Sequence, residues 1–425
     1  MHERTTAEME TEMTVAEHKH SRPIPTANAE TPDLGTAWTK FADDVKGLGP
    51  WLASQQGVPQ GEKMIESDGY RYLATLLYAG LDIHVLNGDP DRPQWSLSFT
   101  CYARYGGDTP DGVYHGAPVD PNGTYRVIGK AQGGLPITAN FQTMSGLWQP
   151  GMPNKPAKTQ DIQNLNSDPD GNFELIVGGP QRKSNYLPLD PSITHLVARQ
   201  YISDDRRQKL YKLSIDRIDQ PLTIPRASDD PAALAKKLDT AVGYVKLVSS
   251  AYLDLMRFAL SAMNALKLLP EAAKAAVGGN AQNRYYCGSW DLIDNQALLI
   301  EVTPTKARYW SIVAQNVWMQ AFAHESIPSS INIDSAVRDT DGKIRVIVSA
   351  QDPGYANWIC TGGLRIGPLV VRWNQTEGEE RMETKLVNFD EISQAMPAKS
   401  TKVAPEDRQQ QLQDLRSHIL RRYGR

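Results

Sequence analysis

Short stretches in which apolar and polar residues alternate recur along this chain, a pattern typical of β-strands with one buried face. Residues 343–348 read KIRVIV, and residues 173–177 read FELIV in the same way. Each stretch follows an Asp-x-Asp-Gly segment, at 168–171 and at 339–342. Asp-Gly tolerates the positive φ angles of a tight turn, so both segments are predicted to be β-hairpins with one solvent-exposed face.

Three segments carry a helical pattern instead. Residues 68–86 repeat apolar side chains at helical spacing. Residues 230–266 form the second segment, with Asp230 as the predicted N-cap and Pro231 in the first turn. Its apolar part contains lysine, aspartate and arginine, which indicates a core helix and not a membrane span. The third segment, 404–425, begins acidic and ends basic, which suits the dipole of an exposed closing helix.

The two halves of the chain repeat each other. Four pairs of segments match at an offset that drifts only from 171 to 173 residues: 168–171 with 339–342, 185–186 with 357–358, 196–199 with 369–372, and 114–116 with 286–288. So regular a drift indicates an internal duplication. Residues 124–143 and 297–316 each predict a strand, a turn and a strand in matching positions.

The predicted fold is mainly β with helices: two tandem β-sandwich or jelly-roll-like domains from an internal duplication, each preceded by helices. The predicted parts are a disordered N-terminal arm (1–34), an N-terminal helical region (35–100), the first sandwich repeat (101–205), linking helices (206–275), the second sandwich repeat (276–395) and a C-terminal basic helix (396–425).

Composition narrows the class of partner. The chain has 425 residues, 40% of them hydrophobic and 22% charged, and a net charge of -4. These values fit a globular protein and give no basic excess for nucleic acid or a membrane surface. The N-terminus lacks the apolar core of a secretory signal. Three widely spaced cysteines, Cys101, Cys287 and Cys360, favour a reduced cytoplasmic setting. A small-molecule ligand is expected, and a homo-oligomer stays open.

A set of motifs carries a family resemblance. It consists of GYRYLATLLYAGL at 69–81, YGGDTPDGVYHGAPVD at 105–120, YWSIVAQNVWMQ at 309–320, the stretch 339–373 and the basic end HILRRYGR at 418–425. With these motifs the chain resembles bacterial proteins that carry the domain of unknown function 1214, often found with its companion domain 1254. The resemblance spans 35–425. It implies paired jelly-roll sandwiches and assigns no catalytic residues.

The polar loop 105–120 is the strongest candidate for chemistry, because a histidine beside carboxylates and a tyrosine can do acid/base work. The alternative is a loop whose aspartates cap turns and whose tyrosine packs. The predicted equivalent of His115 is Cys287, so a role that needs imidazole would belong to the first repeat alone. The catalytic candidates are Asp108, Asp111, Tyr114, His115, Asp120, Tyr286 and Asp291.

The repeated Asn–aromatic and Arg positions are candidates for ligand binding: Asn185, Tyr186 and Arg199 in the first copy, and Asn357, Trp358 and Arg372 in the second. An aromatic ring beside an amide and a guanidinium group can hold a sugar or an aromatic ligand. In the structural alternative, the asparagine holds a loop, the aromatic ring closes the sandwich and the arginine pairs with an aspartate of the Asp-x-Asp-Gly turn.

No histidine pair has the spacing of a metal site within a predicted strand or helix, and no nucleophile elbow or phosphate-binding loop is present. We therefore expect no metal and no cofactor. The favoured hypothesis is a metal-independent small-molecule enzyme, of hydrolase or lyase type, acting on a glycoside or an apolar metabolite by acid/base chemistry. The alternative is a non-catalytic module that binds carbohydrate or protein through Tyr186 or Trp358 on a flat face.

Overall fold

The computed structural model describes residues 33–59, 61–100, 103–221 and 230–423, so most of the predicted N-terminal arm lies outside the described residues. Within these ranges the helices are α1 (Leu34–Lys46), α2 (Leu48–Ala53), α3 (Lys63–Leu81), α4 (Pro231–Leu260), α5 (Glu271–Ala276), α6 (Ile392–Ala395) and α7 (Pro405–Arg422). Short helical turns lie at Asp82–Leu86, Ile162–Asn164 and Phe389–Glu391.

Among the described residues, nine strands come from each half of the chain. The first half supplies β1 (Ser96–Phe99), β2 (Gly112–Pro118), β3 (Thr124–Lys130), β4 (Thr138–Ser145), β5 (Lys155–Asp161), β6 (Phe173–Gly178), β7 (Tyr186–Leu187), β8 (His195–Tyr201) and β9 (Lys212–Arg217). The second half supplies β10 (Ala265–Leu268), β11 (Asn283–Asp291), β12 (Gln296–Thr303), β13 (Tyr309–Ala314), β14 (Ser330–Asn332), β15 (Ile344–Ser349), β16 (Trp358–Cys360), β17 (Ile366–Asn374) and β18 (Arg381–Asn388).

These strands form two β-sandwiches with the same topology, which confirms the predicted fold class. In the first, sheet β1-β2-β8-β4-β5 packs on sheet β7-β6-β3-β9; in the second, sheet β10-β11-β17-β13-β14 packs on sheet β16-β15-β12-β18. We call β1-β2-β8-β4-β5 and β10-β11-β17-β13-β14 the inner sheets. Each sandwich has one parallel strand pair in otherwise antiparallel sheets, and the two pairs, β6–β7 and β15–β16, are equivalent.

The strand register corrects one part of the predicted alignment. Tyr114 of β2 lies opposite Arg199 of β8, and Tyr285 of β11 lies opposite Arg372 of β17. The equivalent of Tyr114 is therefore Tyr285, so the predicted match of 114–116 with 286–288 is wrong by one residue. Two adjacent tyrosines in the second copy allow either register in the sequence. A slip of one residue exchanges the faces of a strand, which makes the correction important for the site.

The Asp-x-Asp-Gly segments form the expected tight turns but no hairpins. Gly171 and Gly342 have φ angles of 86° and 84°. The strands that follow the turns are β6 and β15. They pair with β3 and β12, in sheets β7-β6-β3-β9 and β16-β15-β12-β18, and not with the preceding strands β5 and β14. The face of β15 that was predicted to be solvent-exposed is also buried. On this face Arg345 forms ion pairs with Asp339 and Asp341 at 2.8 and 2.7 Å.

A helical layer lies against the inner sheets. Helices α3 and α4 share one hydrophobic core with the second sandwich, through fully buried side chains such as Tyr72, Leu76 and Val248. Asp230 caps α4 by accepting the N–H of Ala232 at 3.2 Å, as predicted. Among the described residues, none of the helices combines the length and apolar character needed to cross a bilayer.

Helix α7 bridges the two sandwiches. Near its start, Arg408 donates to Asp352 of the second sandwich at 2.9 Å. At its end, Arg422 pairs with Asp205, beyond the last residue of β8, at 2.6 Å and donates to the carbonyl of Pro110. The helix is mostly exposed, as predicted, but its two buried arginine side chains hold both repeats.

The two repeated asparagines fix equivalent loops. Asn357 accepts the N–H of Val337 at 2.8 Å and donates to the carbonyls of Val337 and Arg345 at 2.7 and 3.0 Å. Asn185 makes the same three bonds with Asn166 and Glu174, each at 2.8 Å. This geometry supports the structural alternative for both asparagines.

We expect Asn357→Ala to lower the free energy of unfolding by about 2–4 kcal/mol, because it leaves buried backbone groups without partners. Chemical denaturation measures this loss. Gln410→Ala, at an exposed position of α7, serves as the control and should change stability by less than about 0.5 kcal/mol. Equal stability of Asn357→Ala and the control would contradict the structural role of Asn357.

Candidate functional site

A cavity of about 90 Å³ lies where the two inner sheets meet helix α4. Tyr114 and Arg199 enter it from the first sandwich, and Tyr285 and Arg372 enter it from the second. Helix α4 contributes a wall that includes Tyr252. The cavity therefore belongs to both repeats and to the helical layer at once.

The two arginines are the dominant polar groups of this central cavity. Both are only 4% exposed. Arg199 donates to the side-chain oxygen of Gln142 and, at 2.9 Å, to the carbonyl of Gly278. Arg372 donates to the carbonyl of Gly107 and has a second, longer contact with the carbonyl of Asp108 at 3.5 Å. Within the described residues, neither guanidinium group bonds with a carboxylate.

The contacts of the two arginines are reciprocal. Arg199 of the first sandwich reaches the loop before β11, and Arg372 of the second sandwich reaches the loop before β2. The accepting residues, Gly278 and Gly107, occupy equivalent positions and have φ angles of 63° and 66°. Left-handed backbone is accessible to glycine at little cost, which lets both loops turn their carbonyls toward the arginines. The cavity thus has an approximate two-fold symmetry inherited from the duplication.

Several buried polar atoms around the cavity have no hydrogen-bond partner in the part of the chain that the structure describes. They are Nε of Arg199, Nη1 of Arg372, both side-chain polar atoms of Asn154 and Nδ2 of Asn280. Buried polar groups are normally paired, and an unpaired one costs free energy. The presence of several such atoms around one cavity indicates a binding site for a polar ligand.

Tyrosines accompany both guanidinium groups. The guanidinium carbon of Arg199 lies 5.3 Å from the ring centre of Tyr114, and that of Arg372 lies 5.8 Å from the ring centre of Tyr285. The hydroxyl of Tyr114 shares a hydrogen bond with that of Tyr201. Burial raises the pKa of Tyr114 and of Tyr201, so both hydroxyls stay protonated at neutral pH.

A strained loop closes one side of the cavity. Leu147 and Trp148 have φ angles of 36° and 64°, a left-handed conformation that side chains other than glycine rarely adopt. The ring of Trp148 lies 6.0 Å from that of Tyr252, whose hydroxyl donates to the carbonyl of Val277 at 3.1 Å. Such strain often occurs at ligand sites, because the surrounding structure holds the residue in place.

Four of the predicted site residues line the cavity: Asp108, Tyr114, Arg199 and Arg372. The carboxylate of Asp108 is already engaged, since it accepts the N–H of Ala321 at 2.9 Å and contacts Nε2 of His324 at 3.2 Å. The sequence-based alternative in which Arg372 pairs with an Asp-x-Asp-Gly turn is not what the structure shows. Arg345 makes that contact instead.

His115, another catalytic candidate, does not line the cavity with Tyr114. Successive residues of a strand point to opposite faces, and Tyr114 takes the cavity face of β2. The ring of His115 packs edge-on against Trp95 at 6.2 Å, next to the core of the first sandwich. Asp111 is buried at the junction instead, where it accepts bonds from Tyr309 at 2.9 Å and Asn332 at 3.0 Å.

The other catalytic candidates lie away from the cavity. Asp120 accepts the N–H of Asn122 at 2.9 Å within a turn. Tyr286 takes the face of β11 opposite Tyr285 and donates to Glu380 at 3.2 Å. Asp291 forms an ion pair with the exposed Arg365 at 2.9 Å.

The repeated aromatic residues are also remote from the cavity. Tyr186 donates to the carbonyl of Gly179 at 3.0 Å. Trp358 is only 8% exposed and its ring is covered by Arg408, whose guanidinium carbon lies 5.4 Å from the ring centre. Trp358 is therefore not exposed on a flat face, whereas Tyr186, the other aromatic residue of the alternative hypothesis, is partly exposed.

Sequence reasoning missed Tyr285, Tyr252, Trp148, Asn154 and Asn280. A usable signal was present for one part of the cavity, because a Gly-Gly pair precedes the matching strand in each repeat, at 106–107 and 278–279. The thiol of Cys287 also lines the cavity, and burial raises its pKa to about 12, so it is not a nucleophile at neutral pH. Among the described residues, no three His, Cys, Asp or Glu side chains are grouped to hold a metal ion.

The fold and the cavity describe a tandem β-sandwich protein with duplicated arginines at a cavity between its repeats. The family model described as "Protein of unknown function (DUF1214)" matches residues 294–373. An uncharacterized protein from Burkholderia cenocepacia has a similar solved structure, with a TM-score of 0.78 and 30% identity over 84% of this chain and 98% of that one. The chain belongs to the DUF1214 family.

A second solved structure, the VPA0106 protein from Vibrio parahaemolyticus, aligns with a TM-score of 0.43 and 12% identity, over 76% of this chain and 98% of that one. No curated protein matches the chain.

Buried histidines near the cavity should make stability depend on pH. His84 is 4% exposed, and burial lowers its pKa from 6.5 to about 4. Because the unfolded chain binds the proton more readily, the neutral ring stabilises the fold above about pH 6.5, and this contribution is lost as pH falls toward 4. We expect His84→Gln to flatten that decline by about 3 kcal/mol in denaturation curves measured between pH 7 and 4. Parallel curves for the variant and the native protein would contradict this assignment.

Proposed function

We propose that this protein binds a small organic anion in the central cavity. The observation that carries the proposal is the pair of buried guanidinium groups, Arg199 and Arg372, whose protein partners are amide and carbonyl oxygens. Each group keeps an N–H without a partner among the described residues. A carboxylate or another oxyanion is the ligand that guanidinium groups recognise best.

The energetics support this choice. A buried charge without an opposite charge costs several kcal/mol, because burial removes its hydration. Evolution tolerates such a cost at sites where a ligand recovers it. Much of the remaining wall is aromatic or aliphatic, with Tyr252, Leu255 and Val370 among its side chains. A ligand with a carbon skeleton and at least one anionic group matches both parts of the wall.

The size of the cavity limits the ligand. Its volume of about 90 Å³ is below the ~150 Å³ of an engineered cavity that binds benzene. A compact ligand that carries a charge therefore suits this cavity better than the neutral glycoside considered from the sequence.

We expect Arg372→Met to weaken binding of small carboxylates by at least about tenfold, since a charge-assisted hydrogen bond contributes ~1.5–3 kcal/mol. Isothermal titration calorimetry with acetate, propionate and malonate measures the loss. Arg372→Met also leaves the carbonyl of Gly107 without its donor. Chemical denaturation of the free variant is therefore measured beside binding, to separate a lost ligand contact from a lost fold.

Arg416→Met is the matched control, because it removes the same charge from an exposed position of α7. It should leave carboxylate binding unchanged. The proposal is wrong if the control and Arg372→Met bind these acids equally well, or if the native protein binds none of them.

A second candidate is a metal-independent enzyme of hydrolase or lyase type that acts on the bound anion. The observation in its favour is the hydroxyl pair of Tyr114 and Tyr201 beside Arg199. Burial raises the pKa of Tyr114, so its hydroxyl can donate a proton to a leaving oxygen and is a poor base at neutral pH. Tyr201 is positioned to hydrogen-bond with Tyr114 when that proton moves.

We expect Tyr114→Phe to lower kcat by about 10²–10⁴-fold for any turned-over substrate, with little effect on KM, because general acid catalysis contributes on that scale. Proton NMR of the native protein with small hydroxycarboxylates and carboxylate-bearing esters detects dehydration or hydrolysis. Turnover that survives the substitution would eliminate Tyr114 as the acid. If the native protein turns over none of these compounds, the enzyme proposal fails and only the binding proposal stands.

We also propose a cytoplasmic protein whose partner is a small molecule and neither nucleic acid nor a membrane. The net charge of -4 and the wide spacing of the three cysteines support this setting.

A further inference from the structure

The central cavity presents the same recognition unit twice. We define an Arg–Tyr unit as one buried arginine with the tyrosine opposite it on the neighbouring strand: Arg199 with Tyr114, and Arg372 with Tyr285. The two units are equivalent by strand order and register, and both line the cavity. Each arginine is also fixed in the same manner, by a bond to the glycine carbonyl of the other repeat.

Apolar side chains line the cavity beside the two units. Val197 and Val370 precede the two arginines by two residues on β8 and β17, so they share the cavity face with them. Two equivalent valines thus lie beside two equivalent guanidinium groups. A carbon chain between two charged ends would contact apolar side chains in the middle and a cation at each end.

The charge of the lining agrees with this division. Two guanidinium groups face the cavity, and the carboxylate of Asp108, which also borders it, is held by the N–H of Ala321 and by His324. The arginines therefore present two positive charges that bond no protein carboxylate among the described residues. One singly charged ligand would neutralise only half of them.

We infer that the ligand is a short-chain dicarboxylate, with one carboxylate at each Arg–Tyr unit. This inference rests on the proposed function and deepens it, because it fixes the number of anionic groups. The small cavity volume restricts the chain to a few carbons between the carboxylates. An inorganic oxyanion would also carry the charge, but it would leave the valines without an apolar contact.

Calorimetry with matched acids tests the inference on the full chain. The dicarboxylates oxalate, malonate, succinate and glutarate are compared with acetate, propionate and butyrate, and with inorganic phosphate. We expect at least one dicarboxylate to bind about tenfold or more tightly than every monocarboxylate, because the second carboxylate adds charge-assisted bonds.

The two arginines give a sharper readout. Arg199→Met and Arg372→Met should each weaken the best dicarboxylate by a larger factor than the monocarboxylates, so that the native preference for two carboxylates is lost. Arg416→Met should retain the full preference. A structural defect in the variants would instead weaken both classes of acid by the same factor and leave the preference for dicarboxylates unchanged.

The outcomes separate the inference from the proposed function. If mono- and dicarboxylates bind the native protein equally, or if phosphate alone binds, the dicarboxylate inference is wrong while an anion site remains. If none of the probes binds, the proposed function fails with it.

Discussion

Two charged side chains in the interior between two sandwiches are the constraint on which this structure depends. A guanidinium group removed from water needs acceptors, and each arginine finds one in the loop of the opposite repeat. The exchange ties the repeats together at the cavity. Around it, Asp111 joins the first repeat to Tyr309 and Asn332 of the second, and helix α7 connects both from outside.

Duplication explains why the cavity has two similar halves and why the halves differ in detail. The arginines and their partner tyrosines are retained in both copies, whereas a neighbouring acceptor is not: Gln142 of β4 bonds with Arg199, and the equivalent position of β13 is Val313. The opposite face of the same strands has diverged further, with His115 in one copy and Tyr286 in the other. The shared cavity thus keeps its charge while its surroundings have changed.

The sequence predicted more of the fold than of the site. The duplication, the glycine turns and the long helix after Asp230 depend on local chemistry, and the structure contains all three. The hairpins were wrong because strand pairing is set by the whole sheet, which joins β6 to β3 across the chain. The repeated arginines were identified from the sequence, but the strand face that lines the cavity was not. The two adjacent tyrosines of β11, Tyr285 and Tyr286, allow two registers in the sequence. Trp148 and Asn154 lie in loops whose position depends on packing between distant segments, and no local pattern reveals that.

In the proposed complex, both guanidinium groups share one anion. Anomalous diffraction from crystals of the full chain soaked in a bromine-substituted short dicarboxylate, such as bromomalonate, locates that anion. We expect one bromine peak in the central cavity, with carboxylate density in contact with both Arg199 and Arg372. Density for the acid elsewhere only, or protein carboxylates seated on the two arginines, would contradict it.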